Sequence, residues 1–206
     1  MNFDDLKIYL PKFLSQESDE VLYNNLRDFP NNIDSRLYTN YLSETELIYQ
    51  GDGIKDMLVI NLPEPNINPV PSIILSNTCD IDLNNKRNFP SQIVYSPIFN
   101  LGKYKQLLIE KSGKTLQQIA SHIDSIKRQE LTQIFFLPKL TDKLDESIVF
   151  LDRVNNIPSK FIVRTTVPQK RIFTLSDYGA YLFLLKLSIH FTRIKDNVER
   201  KSINQQ

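Results

Sequence analysis

A chain of 206 residues, 41% of them hydrophobic, is long enough to bury a sizeable core. Its 25 Lys and Arg against 24 Asp and Glu leave a net charge of +1, which excludes recruitment of nucleic acid or anionic membrane by a global field; any such site must be local. One cysteine excludes an internal disulfide, and with only two histidines it argues against a zinc centre of Cys and His.

The opening Met1-Asn-Phe-Asp-Asp-Leu-Lys-Ile lacks the basic and apolar regions of a signal peptide. The apolar stretch from Ala180 to Phe191 is interrupted by Lys186 and His190 and is too short to span a bilayer. The expected location is cytoplasmic, with no membrane partner.

Residues 1–45 read as an N-terminal helical extension. Leu6, Leu10 and Leu14 sit four apart, with Pro11 interrupting any single helix through them. A helix from Ser15 or Ser18, with Val21, Leu22 and Leu26 on its apolar side, is expected to stop at Phe29-Pro30-Asn31-Asn32. From Glu46 the periodicity changes. Leu47-Ile-Tyr49, Met57–Leu62, Ser72–Leu75 and Gln92–Tyr95 are short β-rich runs, with Pro63, Pro65, Pro69 and Pro71 predicting an extended loop between the second and third.

Residues 102–131 break the β pattern. Leu116, Ile119, Ile123 and Ile126 follow helical spacing, with Thr115 or Ser112 available as cap. Strands are predicted again at Gln133–Leu137, Ser147–Leu151 and Lys160–Arg164, followed by a closing helix from Thr174 or Ser176 to about Arg200. Leu185–Phe191 alternates and would also suit a strand; the cap and the absence of a turn signal favour helix, one apolar on more than one side and so buried twice or joined to a partner.

The most distinctive stretch is Ser72-Ile-Ile-Leu-Ser-Asn-Thr-Cys-Asp-Ile-Asp82, an apolar run ending in polar residues around the only cysteine. With Gly51-Asp52 before it, Val94-Tyr-Ser-Pro-Ile98 after it and Ser147–Ile157 later, the order of motifs resembles the PemK/MazF (Kid-like) toxin family. The resemblance covers roughly residues 47–200. It implies an α+β fold: a small SH3-like, partly open antiparallel β-barrel over residues 46–206, with N-terminal helices, a helical insertion at about 102–131 and a closing helix at about 174–200. It further implies a bacterial toxin–antitoxin or phage-defence setting, with RNA or DNA, an antitoxin or another defence protein, and a second copy of the chain as partners. The residues that carry RNA cleavage in that family are replaced: Val70 stands for the Arg before Pro71, Phe99 for the Thr or Ser after Pro97-Ile98, and Asn155 for a later Arg.

Two sites follow. The first is Thr78, Cys79 and Asp80: a nucleophilic thiol on one reading, and on the other a small buried thiol with Asn77, Thr78 and Asp80 tying off a strand end. A metal held by Cys79, Asp80 and Asp82 matches no calcium loop, so none is expected. The second is a nucleic-acid-binding set on loops that the resemblance places at one barrel end: Lys86 and Arg87, Lys103 and Lys105, then Arg164, Lys170 and Arg171, with Tyr95, Phe99 and Tyr104 as stacking surfaces. His122 and His190 border apolar stripes and read as structural, and Asp52 as a turn cap. With five glycines and no phosphate-cradling motif, no cofactor is expected. The expected role is a non-catalytic nucleic-acid- or protein-binding module. The alternatives are a divergent endoribonuclease acting through Thr78, Cys79 and Asp80, assisted by Arg87 or Arg164, and a pure interaction or oligomerisation domain.

Overall fold

A computed structural model describes residues 16–192. Helix α1 (Gln16–Asp28) ends before Phe29-Pro30 as expected. It buries Leu22 and Leu26, but Val21, one residue and about 100° round the helix, is exposed rather than apolar-facing. Leu6, Leu10 and Leu14 lie outside the described residues. A turn at Ser35–Leu37, whose Arg36 N–H donates to the Asp34 carboxylate, leads into the short strand β1 (Tyr38–Thr39).

The strand predicted at Leu47–Tyr49 does not form. Side chains claim the local backbone instead: Tyr49 N–H donates to the Asp52 carboxylate and Gln50 N–H to the Thr78 hydroxyl. The extended loop predicted across Pro63–Pro71 is also replaced. Strands β2 (Gly53–Asn61) and β3 (Asn66–Ile74) form a hairpin closed at Asn61 opposite Asn66. Prolines are tolerated inside β3 because the ladder alternates. Ile74 donates to Asp52 and Leu75 to Val94, so the odd-numbered nitrogens, those of Pro69 and Pro71 among them, face away from β2.

A single helical turn, α2 (Thr78–Ile81), follows β3, and β4 (Gln92–Asn100) returns antiparallel to it. The 102–131 region holds two helices where one was predicted. Asn100 caps α3 (Leu101–Lys111), and Thr115 with Gln118 forms a capping box on α4 (Leu116–Lys127). Ile119, Ile123 and Ile126 are buried as their spacing requires, whereas Leu116, in the first turn, is exposed. Strands β5 (Ile134–Leu137) and β6 (Ser147–Phe150) follow. β7 (Asn155–Pro158) pairs with Gln92–Tyr95 of β4, and the strand predicted at Lys160–Arg164 is two tight turns, Ser159–Phe161 and Arg164–Thr166. β4 is thus shared along its length: β7 pairs with Gln92–Tyr95, β3 with Tyr95–Pro97 and β6 with Ile98–Asn100.

After the short helix α5 (Val167–Lys170) comes an unpredicted strand, β8 (Arg171–Leu175). Helix α6 (Asp177–Thr192) is started by Ser176, whose hydroxyl accepts from Gly179 N–H, and it settles Leu185–Phe191 as helical. A side chain at Gly179 would put its Cβ 2.2 Å from the Leu37 carbonyl, so glycine sets how closely α6 crosses the N-terminal segment.

The architecture is α+β: an antiparallel eight-stranded sheet in the order β1-β8-β2-β3-β4-β6-β5, with β7 branching from β4, and the sheet does not close. Three apolar clusters hold it. One packs Leu22, Leu26 and Leu37 with Phe135, Phe173 and Phe183, so residues from the N-terminal 45 share a core with α6. A second fills the curve of β2, β3, β4 and β7 with Met57, Val59, Ile74, Ile81, Ile93 and Tyr95. The third packs α3 and α4 on Ile134, Phe136 and Ile148. β5 is covered on both faces, which is why it reads as a continuous apolar run. Across the open side, the Tyr95 hydroxyl donates to Leu58 O and Ile60 N–H donates to Asn155 Oδ1 at 3.0 Å. Among the described residues no helix is long and apolar enough to cross a membrane.

Candidate nucleic-acid interface

The polar end of the 72–82 stretch is a well-tied corner. Val94 N–H donates to the Ser76 hydroxyl at 2.7 Å, and Cys79 N–H to the Asn77 side chain at 2.9 Å, which caps α2. Ile81 is buried in the second cluster. Two residues earlier on a helical turn is the opposite side, so Cys79 is exposed, not the buried thiol of one sequence reading. Asp80 accepts from Arg87 at 2.6 Å with both side chains in solvent. The histidines are engaged elsewhere: His122 lies 3.0 Å from the Tyr104 hydroxyl between α3 and α4, where burial holds its pKa below the ordinary value, and His190 packs edge-on to Phe191. Among the described residues no three His, Cys, Asp or Glu side chains converge on a metal-sized site.

The basic set does not gather as expected. Lys86 and Arg87 precede β4, whereas Lys103 and Lys105 are on helix α3, not in a loop, beyond its other end. Nine residues of strand separate the two groups by about 30 Å. Lys170 is 3.5 Å from Asp56. Arg171 is buried: its side chain is 2% exposed beside Asp52 at 0%. Its guanidinium donates to Asp52 Oδ2 at 3.2 Å and to the carbonyls of Leu42, Ser43, Thr45 and Leu47, so it fastens residues 42–47 onto the sheet and presents nothing to a ligand. Burial raises the Asp52 pKa, opposed by the Tyr49 backbone donor and by the Arg171 charge. The anticipated stacking rings are also occupied. Tyr95 is buried, and Phe99 and Tyr104 pack edge-on to Phe150 with Arg153 over Phe99 and Phe150.

A different surface lies where β4 begins. Ser159 N–H donates to Ser91 O at 2.9 Å, and Arg164 Nη2 donates to Ile81 O at 2.9 Å and to Ser159 Oγ at 2.7 Å, locking residues 81–91 to the turns at 159–166. From these joined segments Phe89 (83% exposed) and Phe161 (65%) project with Leu83 and Val163. Lys86 and Arg87 stand three and two residues before Phe89 in its loop, and Lys160 precedes Phe161, its ammonium 5.9 Å from the ring centroid. Lys86 and Arg87 were legible in the sequence; Phe89, Lys160 and Phe161 were not singled out. The signal for Phe89 was an aromatic residue in the Asn-rich, proline-ended loop 84–90, where nothing nearby could bury it.

Below this surface is a pocket of about 230 Å³ walled by Leu47, Ile48, Ile81 and Leu83, with Glu46, Asp82 and Arg164 among its polar groups. Arg164 is half-buried. Desolvation lowers its pKa, opposed by Asp82, and its Nη1 has no hydrogen-bond partner. No protein-family model matches the chain, and no curated protein matches it in sequence.

Proposed function

We propose that the protein is a single-stranded nucleic-acid-binding module, and that its β8-β2-β3-β4-β7 portion is an SH3-like, partly open barrel of PemK/MazF type. The barrel reading is supported by the core that β2, β3, β4 and β7 share and by the two side-chain bonds across the open side. The toxin–antitoxin or defence setting rests on the motif order alone. One observation carries the binding reading: Phe89 and Phe161, two large apolar rings left in solvent, stand on segments that are bonded to each other and carry Lys86, Arg87 and Lys160. Exposed rings stack any base, at about 1–3 kcal/mol each, while cations track the phosphates without reading sequence. The near-neutral chain and the Asp80 counter-charge make this a weak, local and salt-sensitive site.

The test is fluorescence anisotropy with a labelled U12 RNA. Phe89→Ala and Phe161→Ala are expected to weaken binding by roughly 5–100-fold each while the salt dependence stays unchanged. Lys86→Ala and Lys160→Ala each flatten the log–log salt slope by about 0.7. Binding indifferent to both phenylalanines rejects the proposal. RNA cut by the wild type, but left intact by a Cys79→Ala or Asp80→Asn variant, points instead to the divergent endoribonuclease.

A further inference from the structure

We infer that the pocket beside Arg164 receives one guanine base of the bound strand, an inference that rests on the nucleic-acid reading of the adjoining face. At about 230 Å³ it falls below the roughly 300–1,000 Å³ of sites for drug-sized ligands, and it suits a single flat ring system. Leu47, Ile48, Ile81 and Leu83 supply apolar surface for the faces of a base. The chemistry at the pocket rim is rich in acceptors. Asp82 Oδ1 already accepts from Asn84 N–H at 2.9 Å, and among the described residues no donor meets the second oxygen; Glu46 adds another carboxylate. Arg164 is one cation of the lining against two carboxylates; its charge acts on Asp82, while its Nη2 hydrogens are engaged by Ile81 O and Ser159 Oγ.

A carboxylate with a free oxygen calls for donors, and two adjacent donors satisfy it best. Guanine alone among the four bases has them on its Watson–Crick edge, in N1–H and the N2 amine. Adenine and cytosine set one amine beside an acceptor that would face the carboxylate, and uracil sets N3–H between two carbonyls. Single-stranded RNA is read in this way, by bases splayed from the strand and bonded along that edge. Leu83, Ile81 and Arg164 belong both to the pocket and to the segments carrying the exposed rings, so a strand stacked on Phe89 and Phe161 lies at the pocket mouth.

The experiment compares four labelled 12-mer RNAs against the full chain at one salt concentration: U12, and U12 with a single central guanosine, adenosine or inosine. The guanosine strand is expected to bind about tenfold more tightly than the other three. Inosine keeps N1–H but lacks the N2 amine, so its loss of the advantage separates edge recognition from stacking. In Asp82→Asn, which keeps an oxygen for Asn84 N–H but puts an amide N–H₂ against the base, the guanosine-to-inosine ratio is expected to fall to about one. Equal binding of all four strands by the wild type overturns the guanine pocket and leaves the stacking face standing. A preference for guanosine that survives both inosine and Asp82→Asn overturns it as well. Failure of every strand to bind overturns the stacking face, and the pocket's role with it.

Discussion

Asp52–Arg171 and Asp80–Arg87 pair the same residue types with opposite consequences. The exposed pair is closer, 2.6 Å against 3.2 Å, yet it is the weaker tie. Asp80 and Arg87 exchange one solvated partner for another, a gain of about 0–1 kcal/mol that salt screens further. Arg171 cannot exchange anything. Removed from water, its fork must be satisfied by Asp52 and four carbonyls of residues 42–47, and without it Asp52 is a buried carboxylate with no counter-charge beside it. Separation between charges thus says little about what a pair holds in place; burial and the count of satisfied donors say more.

Arg171→Ala is expected to destabilise the fold by about 3–5 kcal/mol, read as a lowered denaturant midpoint, and Arg171→Lys to recover little because an ammonium lacks the fork. An Arg171→Ala midpoint as high as that of Arg87→Ala would dissolve the distinction between the pairs.

A third cation sharpens it. Lys186 is buried with no carboxylate partner among the described residues, donating to Gln129 O at 2.7 Å and Leu131 O at 2.5 Å beyond the end of α4, and burial lowers its pKa from 10.5 to about 8. Between pH 8 and 10.5 the unfolded chain therefore holds more of this proton than the folded one, so the group's contribution to stability rises with pH across that window. The stability of wild type relative to Lys186→Met should climb from pH 7.5 to 10.5; parallel profiles would mean the folded lysine titrates normally.

The smallest effects belong to the exposed pair. Asp80→Asn and Arg87→Ala are each expected to move stability by less than about 1 kcal/mol. Arg87→Ala should nevertheless reduce the salt slope of RNA binding by about 0.7, so its effect appears in titrations and not in melts.

Much of the fold was legible where local chemistry decides. The spacing of Ile119, Ile123 and Ile126 located α4, and of the caps offered, Thr115 or Ser112 and Thr174 or Ser176, the structure uses Thr115 and Ser176. The polar corner after β3 was legible in part: Asn77 accepts from Cys79 N–H within the segment, whereas the Thr78 hydroxyl is bonded by Gln50 N–H from 28 residues earlier. Other elements were not. β3 carries prolines that a central strand would reject, and Pro69 and Pro71 are harmless because their nitrogens face away from β2, on the side where the β4 ladder begins only at Ser72. β8 lay hidden because Arg171-Ile-Phe-Thr-Leu175 opens with a charge, and that charge is acceptable only opposite Asp52, 119 residues earlier in the chain.

The sequence alone placed candidate caps for α4 and α6 and several of the β-rich runs, since caps and periodicity act within a few residues; it did not place α3 or β8, and its runs at Leu47–Tyr49 and Lys160–Arg164 are not strands. Only the tertiary structure decided which charges are buried and which rings are left in solvent. Arg171 went from a candidate ligand contact to an internal brace, and Phe89 and Phe161 from unremarked residues to the proposed binding face. Burial depends on what arrives from distant parts of the chain, and no local pattern records it.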